Sequence, residues 1–95
     1  MGESISPHEA WSRVQRGDVR LLDLRTEAER RHYGAPPGAE HVSLARHVAS
    51  PEGPPALYLC QHAVRSKLTL RNGADEVAGG FVAWQKAGLP VELVS

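Results

Sequence analysis

The sequence predicts an α/β domain built on a small, mainly parallel sheet with helices on both faces. Short apolar segments, which are typical of buried strands, alternate along the chain with segments of helical periodicity. Such alternation predicts parallel strands whose crossover helices cover the sheet. Since 95 residues suffice for one hydrophobic core and no more, we expect a single domain over residues 1–95.

The composition excludes several classes of function. Eleven Lys and Arg residues balance eleven Asp and Glu residues. Proteins that bind phosphate backbones carry a basic excess, so we expect no nucleic acid as a partner. We also expect no membrane partner, because no apolar run approaches the roughly 20 residues that span a bilayer. The single cysteine excludes an internal disulfide and a multi-cysteine zinc site, and without a secretory leader we expect a cytoplasmic protein.

The first helix and the first strand are predicted from their ends. Ser6 is typical of a helix N-cap, Pro7 of the first helical turn, and Glu9 lies where it closes a capping box. Gly17 ends this helix. Residues 19–24 are mostly apolar and too few for a helix, which predicts a buried strand.

The middle of the chain contains a second helix and two strands. Thr26 is suited to cap a charge-rich helix over residues 27–33. The Gly- and Pro-rich segment 34–39 excludes a helix and predicts a turn. Residues 41–44 form a short predicted strand, and residues 56–59 form a buried one.

The C-terminal part contains two further helices around a brief strand. A helix is predicted from residue 65 to about residue 71, ended by Asn72 and Gly73. Residues 76–78 are a predicted strand. Gly79 and Gly80 break the chain before a last helix over residues 81–87.

Cys60 follows a predicted strand directly, at the end where parallel sheets bind their ligands. A tight loop from this strand to the next helix turns successive backbone N–H groups inward and forms an anion-binding nest. The helix N-terminus adds its positive end, which favours the nucleophilic thiolate. Arg65 adds a permanent charge at the far end of the loop. We therefore expect an accessible thiol on the floor of a shallow pocket that reacts with an anionic partner.

Cys60 and Arg65 also have a purely structural interpretation. A lone cysteine at a strand end is commonly a small buried apolar residue. Arg65 fits a surface position at a helix start, although a cation there is unfavourable unless an anion compensates it. From the spacing alone, both interpretations stay open.

Four segments, in order, resemble the single-domain rhodanese, or thiosulfate sulfurtransferase-like, family. They are the strand ending in Asp-x-Arg at 21–25, the E…G…PGA segment at 29–39, the cysteine loop at 57–66 and the GG…W…GLP segment at 79–90. Together they cover nearly the whole chain. The resemblance implies a rhodanese-like fold with about five strands, and it favours a functional over a structural cysteine.

The resemblance implies a sulfurtransferase in which Cys60 is the catalytic residue. Cys60 would take a sulfane sulfur from a small anionic donor, thiosulfate or a persulfide, and carry it as its own persulfide. Cyanide or a thiol, including a thiol on a protein, would accept the sulfur. No metal and no cofactor is implied. The anion-binding loop would consist of Gln61, His62, Ala63, Val64 and Arg65, supported by Asp23, Arg25 and Ser66.

Asp23 and Arg25 have two interpretations, as catalytic groups or as residues that tie a strand end to the neighbouring loop. The loop has the short form Cys-x4-Arg, which favours sulfur transfer, whereas related phosphatases and arsenate reductases have Cys-x5-Arg.

The chain departs from the family pattern at three places. Ala63 stands where glycine is usual, and residues 35–36 replace the usual His-Ile. The segment 65–79 is shorter by about seven residues, which is close to two helical turns. These departures keep a second function open, a catalytically weak module that carries sulfur or binds a partner.

Overall fold

The computed structural model describes residues 2–43, 45–46, 55–62 and 73–94. Its elements, in chain order, are β1 (Ser4–Ile5), α1 (Pro7–Arg16), β2 (Arg20–Asp23), α2 (Glu27–Tyr33), β3 (Glu40–His41), β4 (Ala56–Leu59), β5 (Asp75–Val77) and α3 (Gly80–Lys86). The helix predicted from residue 65 lies outside the described residues. In the part of the chain that is described, no helix is long and apolar enough to cross a membrane.

The described strands form one sheet in the order β1-β5-β4-β2-β3, and each neighbouring pair is parallel. The predicted α/β fold with a parallel sheet of about five strands is thereby confirmed. After β2 the chain continues to β3 on one side, whereas after β4 it continues to β5 on the other. The carboxyl ends of β2 and β4 therefore meet at a topological switch point, where open α/β sheets bind their ligands.

Two hydrophobic clusters lie on opposite sides of the sheet, because successive side chains of a strand point to opposite faces. On one side, Leu21 and Leu57 of the sheet are buried against Phe81 and Trp84 of α3 and Ala10 of α1. These side chains are at most 2% exposed. Phe81 and Trp84 of α3 therefore belong to the hydrophobic core.

The second cluster contains Leu22, Tyr58, Cys60 and Ala74. Leu22 is paired in register with Tyr58, and Tyr58 with Glu76. Glu76 is fully buried, and its carboxylate accepts a hydrogen bond from the Ser4 hydroxyl. The buried Glu76 is therefore in register with Leu22 and Tyr58, two residues of the second apolar cluster.

Local capping explains where the helices begin. The Ser6 hydroxyl accepts a hydrogen bond from the Glu9 amide at 3.1 Å, as predicted. Thr26 and Glu29 form a complete capping box at the start of α2. Gly17 ends α1 with a φ of 77°, a left-handed conformation that favours glycine.

The observed bounds differ from the predicted ones mainly at strand ends. The second helix and β4 have the predicted bounds. β2 is one residue shorter at each end than predicted, and β3 covers residues 40–41 where 41–44 were predicted. β5 and α3 each begin and end one residue earlier than predicted. The sequence analysis missed β1 altogether, since a strand of two residues shows no periodicity.

Candidate active site

The candidate site lies at the switch point, where Asp23 ends β2 and Cys60 follows β4. Asp23 is paired in register with Leu59, and the Leu24 amide donates to the Leu59 carbonyl at 2.8 Å. The backbone ladder thus holds both strand ends side by side. The structure brings Asp23, Arg25 and the start of the cysteine loop together, although they are far apart in the sequence.

Asp23 and Arg25 form a buried ion pair behind the loop. Both residues are at most 1% exposed. The Arg25 Nη2 atom donates to Asp23 Oδ2 at 2.8 Å, and its Nε donates to Oδ1 at 3.0 Å. The Arg25 amide also donates to Asp23 Oδ1 at 3.0 Å. Such a forked contact fixes the guanidinium plane, because arginine presents its donors in a rigid geometry.

Arg25 extends this network to the loop and to the end of α2. Its Nη1 donates to Gln61 Oε1 at 3.2 Å, and its Nη2 donates to the Gly34 carbonyl at 2.7 Å. The guanidinium carbon lies 4.0 Å from the centre of the Phe81 ring, a cation–π contact. Asp23 and Arg25 therefore lie behind the loop and connect it to its neighbours.

The sequence analysis missed two residues of this network. Arg30 Nε donates to Asp23 Oδ2 at 3.1 Å, although Arg30 belongs to the charge-rich helix predicted over residues 27–33. His41 Nε2 lies 2.7 Å from the Arg25 carbonyl oxygen. Helical spacing gave no indication of these contacts, because they depend on how α2 and β3 pack beside β2.

Two backbone hydrogen bonds orient the first peptides of the loop. The Phe81 and Val82 amides of α3 donate to the Cys60 and Gln61 carbonyls at 2.8 and 3.1 Å. In a trans peptide the N–H points opposite to the C=O. The N–H groups of Gln61 and His62 therefore both point away from the α3 amides that bind these carbonyls.

Cys60 is buried, with 1% of its surface exposed. The expectation that the Cys60 thiol is accessible to solvent is therefore wrong. Strand alternation continues past β4, which places Cys60 on the same face as Tyr58, within the cluster that contains Leu22 and Ala74.

The remaining loop residues are only partly described. Gln61 is 7% exposed, whereas His62 is exposed. Ala63, Val64, Arg65 and Ser66 lie outside the described residues, so the anion-binding loop predicted for residues 61–65 is described only over its first two positions.

No protein-family model matches the chain. A curated protein, the thiosulfate sulfurtransferase GlpE of Actinobacillus pleuropneumoniae, is 33% identical over an alignment of 99 positions including gaps, which covers 93% of this chain and 91% of that protein. The chain belongs to the single-domain rhodanese family. It is an enzyme of the thiosulfate sulfurtransferase type, as the motifs in its sequence imply.

Solved structures share the fold of this rhodanese. A rhodanese-related protein from Thermoplasma volcanium aligns with a TM-score of 0.78 and 19% identity, covering 97% of this chain and 99% of that one. A Rhodopseudomonas palustris protein described as a possible tyrosine phosphatase aligns with a TM-score of 0.80 and 23% identity, covering 96% and 85%. At these sequence identities, both similarities are evidence for the fold and not for the function.

Proposed function

We propose that this rhodanese transfers a sulfane sulfur from thiosulfate or a persulfide to a thiophilic acceptor through a Cys60 persulfide. The observation that carries the proposal is the pair of parallel N–H groups at the carboxyl end of β4, directly after the chain's single cysteine. Oriented N–H groups stabilise a developing negative charge, and a persulfide is an anion.

The proposed reaction has two displacements and no net oxidation of the enzyme. The Cys60 thiolate attacks the outer sulfur of thiosulfate, and an S–S bond forms to the protein. The original S–S bond breaks, and sulfite leaves with its electron pair. In the second step cyanide or a thiolate attacks the outer sulfur of the persulfide. The Cys60 thiolate then leaves, which restores the enzyme.

The residues of the loop would divide this work. Gln61, His62, Ala63 and Val64 would present their N–H groups to the anion, and Arg65 would bind the donor's charge. Asp23, Arg25 and Ser66 would support the loop. The short Cys-x4-Arg spacing favours one sulfur atom over the phosphate bound by the longer loop of related phosphatases. We place this chemistry in the cytoplasm, with a small thiol or a protein thiol as the cellular acceptor.

Mass spectrometry of the intact protein tests the first step. After thiosulfate treatment and removal of excess donor, we expect wild-type protein to gain the mass of one sulfur atom and to lose it on addition of cyanide. Cys60→Ser should gain nothing. Serine is nearly the same size as cysteine, so the variant is expected to fold. Its circular dichroism spectrum, compared with that of the wild-type protein, checks this. Wild-type protein that gains no sulfur from thiosulfate or from a small persulfide would refute the proposal.

The burial of Cys60 favours a second candidate function, a slow module that carries sulfur for another enzyme or binds a partner. In this case the persulfide forms to one equivalent while turnover with cyanide stays slow. The two candidates differ in steady-state rate rather than in loading. If Ala63 limits the cradle of N–H groups, Ala63→Gly should raise turnover, because misplaced groups are costly in such sites. A clear fall in turnover with the fold intact would show that the loop is built around alanine.

A further inference from the structure

The first two residues after the cysteine face opposite ways. Gln61 is 7% exposed, and its side-chain oxygen accepts a hydrogen bond from Arg25 Nη1 at 3.2 Å. His62, the next residue, is exposed. The Gln61 side chain is therefore directed into the protein. Of this residue, the backbone N–H group is the part that can face an anion in the loop.

The group that holds Gln61 is itself immobilised. The Arg25 guanidinium is fixed by the Asp23 carboxylate, by the Gly34 carbonyl and by the Phe81 ring. These contacts engage the Nε and Nη2 donors and the central carbon of the guanidinium group. The Nη1 donor therefore has a set direction, and it holds the Gln61 amide at a definite place relative to β2.

Gln61 is also held through its main chain, where its carbonyl accepts a hydrogen bond from the Val82 amide at 3.1 Å. The side chain is tied to β2 through Arg25, and the backbone is tied to α3. Two attachments on different elements restrict rotation of the peptides on both sides of Gln61. One of these peptides joins it to Cys60 and sets the direction of the first N–H group.

We propose that Gln61 is a positioning residue for sulfur transfer, which acts through its hydrogen bond to Arg25 and not through contact with the donor. The inference rests on the proposed persulfide chemistry and adds how the cysteine loop is held for it. Without this bond only the backbone hydrogen bonds from α3 hold the Cys60–Gln61 peptide, and the thiol and the first N–H group lose part of their alignment.

Gln61→Met tests the proposal because methionine keeps the length of the side chain but is a weak acceptor. At saturating thiosulfate, we expect the single-turnover rate of persulfide formation to fall by about 10- to 100-fold, as for other small misplacements of catalytic groups. Gln61→Asn, which keeps the amide but shortens its reach, should lose a similar factor. Arg31→Gln is the matched control, since Arg31 is exposed and pairs only with the exposed Glu27 in the contacts recorded for it. It should keep the wild-type rate.

A double-mutant cycle with Arg25→Lys separates positioning from general stability. Lysine keeps the charge but loses the forked geometry. If Arg25 acts through Gln61, Arg25→Lys slows sulfur loading in the wild-type background but changes it by less than about two-fold in the Gln61→Met background. The proposal would be overturned if Arg25→Lys slowed sulfur loading by the same factor in both backgrounds. It would also be overturned if Gln61→Met alone left the loading rate unchanged. Each variant is measured below its own thermal transition.

The same cycle, read by alkylation of Cys60 with iodoacetamide, needs no sulfur donor. If wild-type protein forms no persulfide, the proposed function fails, and the alkylation cycle still decides whether Arg25 and Gln61 act together on the thiol. If the persulfide forms but the two substitutions act independently in both assays, the positioning role fails and the proposed function stands.

Discussion

Asp23→Asn is expected to be among the most damaging conservative substitutions in this protein. The Asp23 Oδ2 atom accepts from Arg25 Nη2 and from Arg30 Nε at 2.8 and 3.1 Å. In asparagine an NH₂ group replaces one of the two oxygens. If it takes the place of Oδ2, it faces the Arg25 and Arg30 donors, and if it takes the place of Oδ1, the hydrogen bonds to that oxygen are lost. Two hydrogen bonds to a charged group are worth about 1.5–3 kcal/mol each. A buried guanidinium without its carboxylate costs about 3–5 kcal/mol, which agrees with that sum.

The expected loss of about 3–5 kcal/mol is large beside the roughly 5–15 kcal/mol that stabilises a small domain. Each kcal/mol shifts the melting temperature of a domain of this size by about 4–8 °C, so a decrease of about 12–40 °C is expected. Urea unfolding followed by circular dichroism gives the free energy directly. Glu27→Gln, which breaks an exposed ion pair with Arg31 and removes a charge from the first turn of α2, is the control and should cost no more than about 1 kcal/mol. If both variants unfold at the same urea concentration, the buried network does not stabilise the fold as reasoned.

Gly34→Ala should destabilise the protein more than Gly38→Ala, as measured by urea unfolding. Both glycines have a φ near 80°, which costs another residue about 1–2 kcal/mol, but only at Gly34 would the new Cβ lie 2.6 Å from the Val91 side chain and 2.8 Å from the Glu92 carbonyl oxygen. Equal losses would show that both the Val91 side chain and the Glu92 backbone shift without cost. The pKa of Glu40 is lowered from its usual value of 4.5, first by the hydrogen bond from Arg20 and against a smaller opposing effect of burial. A lowered pKa gives stability that is present above pH 4.5 and is lost as the pH falls through the folded value, so wild-type protein and Glu40→Gln should converge in stability in acid. A difference that persists there would contradict this assignment.

Local chemistry made much of the fold predictable. The caps at Ser6 and Thr26 and the glycine at position 17 fixed helix ends, because a cap satisfies amides within three residues of itself. The apolar segment 56–59 was recognisable as a strand for a similar reason, since its side chains are buried on both faces of the sheet. In each case the determining interactions lie within a few residues or in the composition of the segment.

The parts that could not be predicted depend on residues far apart in the sequence. β1 forms only because Ser4 and Ile5 pair with Glu76 and Val77. The inward direction of the Gln61 side chain requires a buried arginine 36 positions earlier. No local pattern encodes either contact. The burial of Cys60 was within reach of the sequence, because alternation from residues 56 and 58 continues to residue 60.

The short edge strand β1 has a consequence for the motions of the molecule. Its hold on the sheet includes the Glu76 and Ala78 amides, which donate to the Glu3 and Ile5 carbonyls. A two-residue edge of this kind opens at less cost than the whole domain, so these two amides should exchange with solvent deuterium early. The Leu24 amide, bound between β2 and β4, should exchange only when the molecule unfolds. Since β5 separates β1 from β4 and β2, the protein can open at β1 while β2 and β4, which carry the candidate site, stay paired.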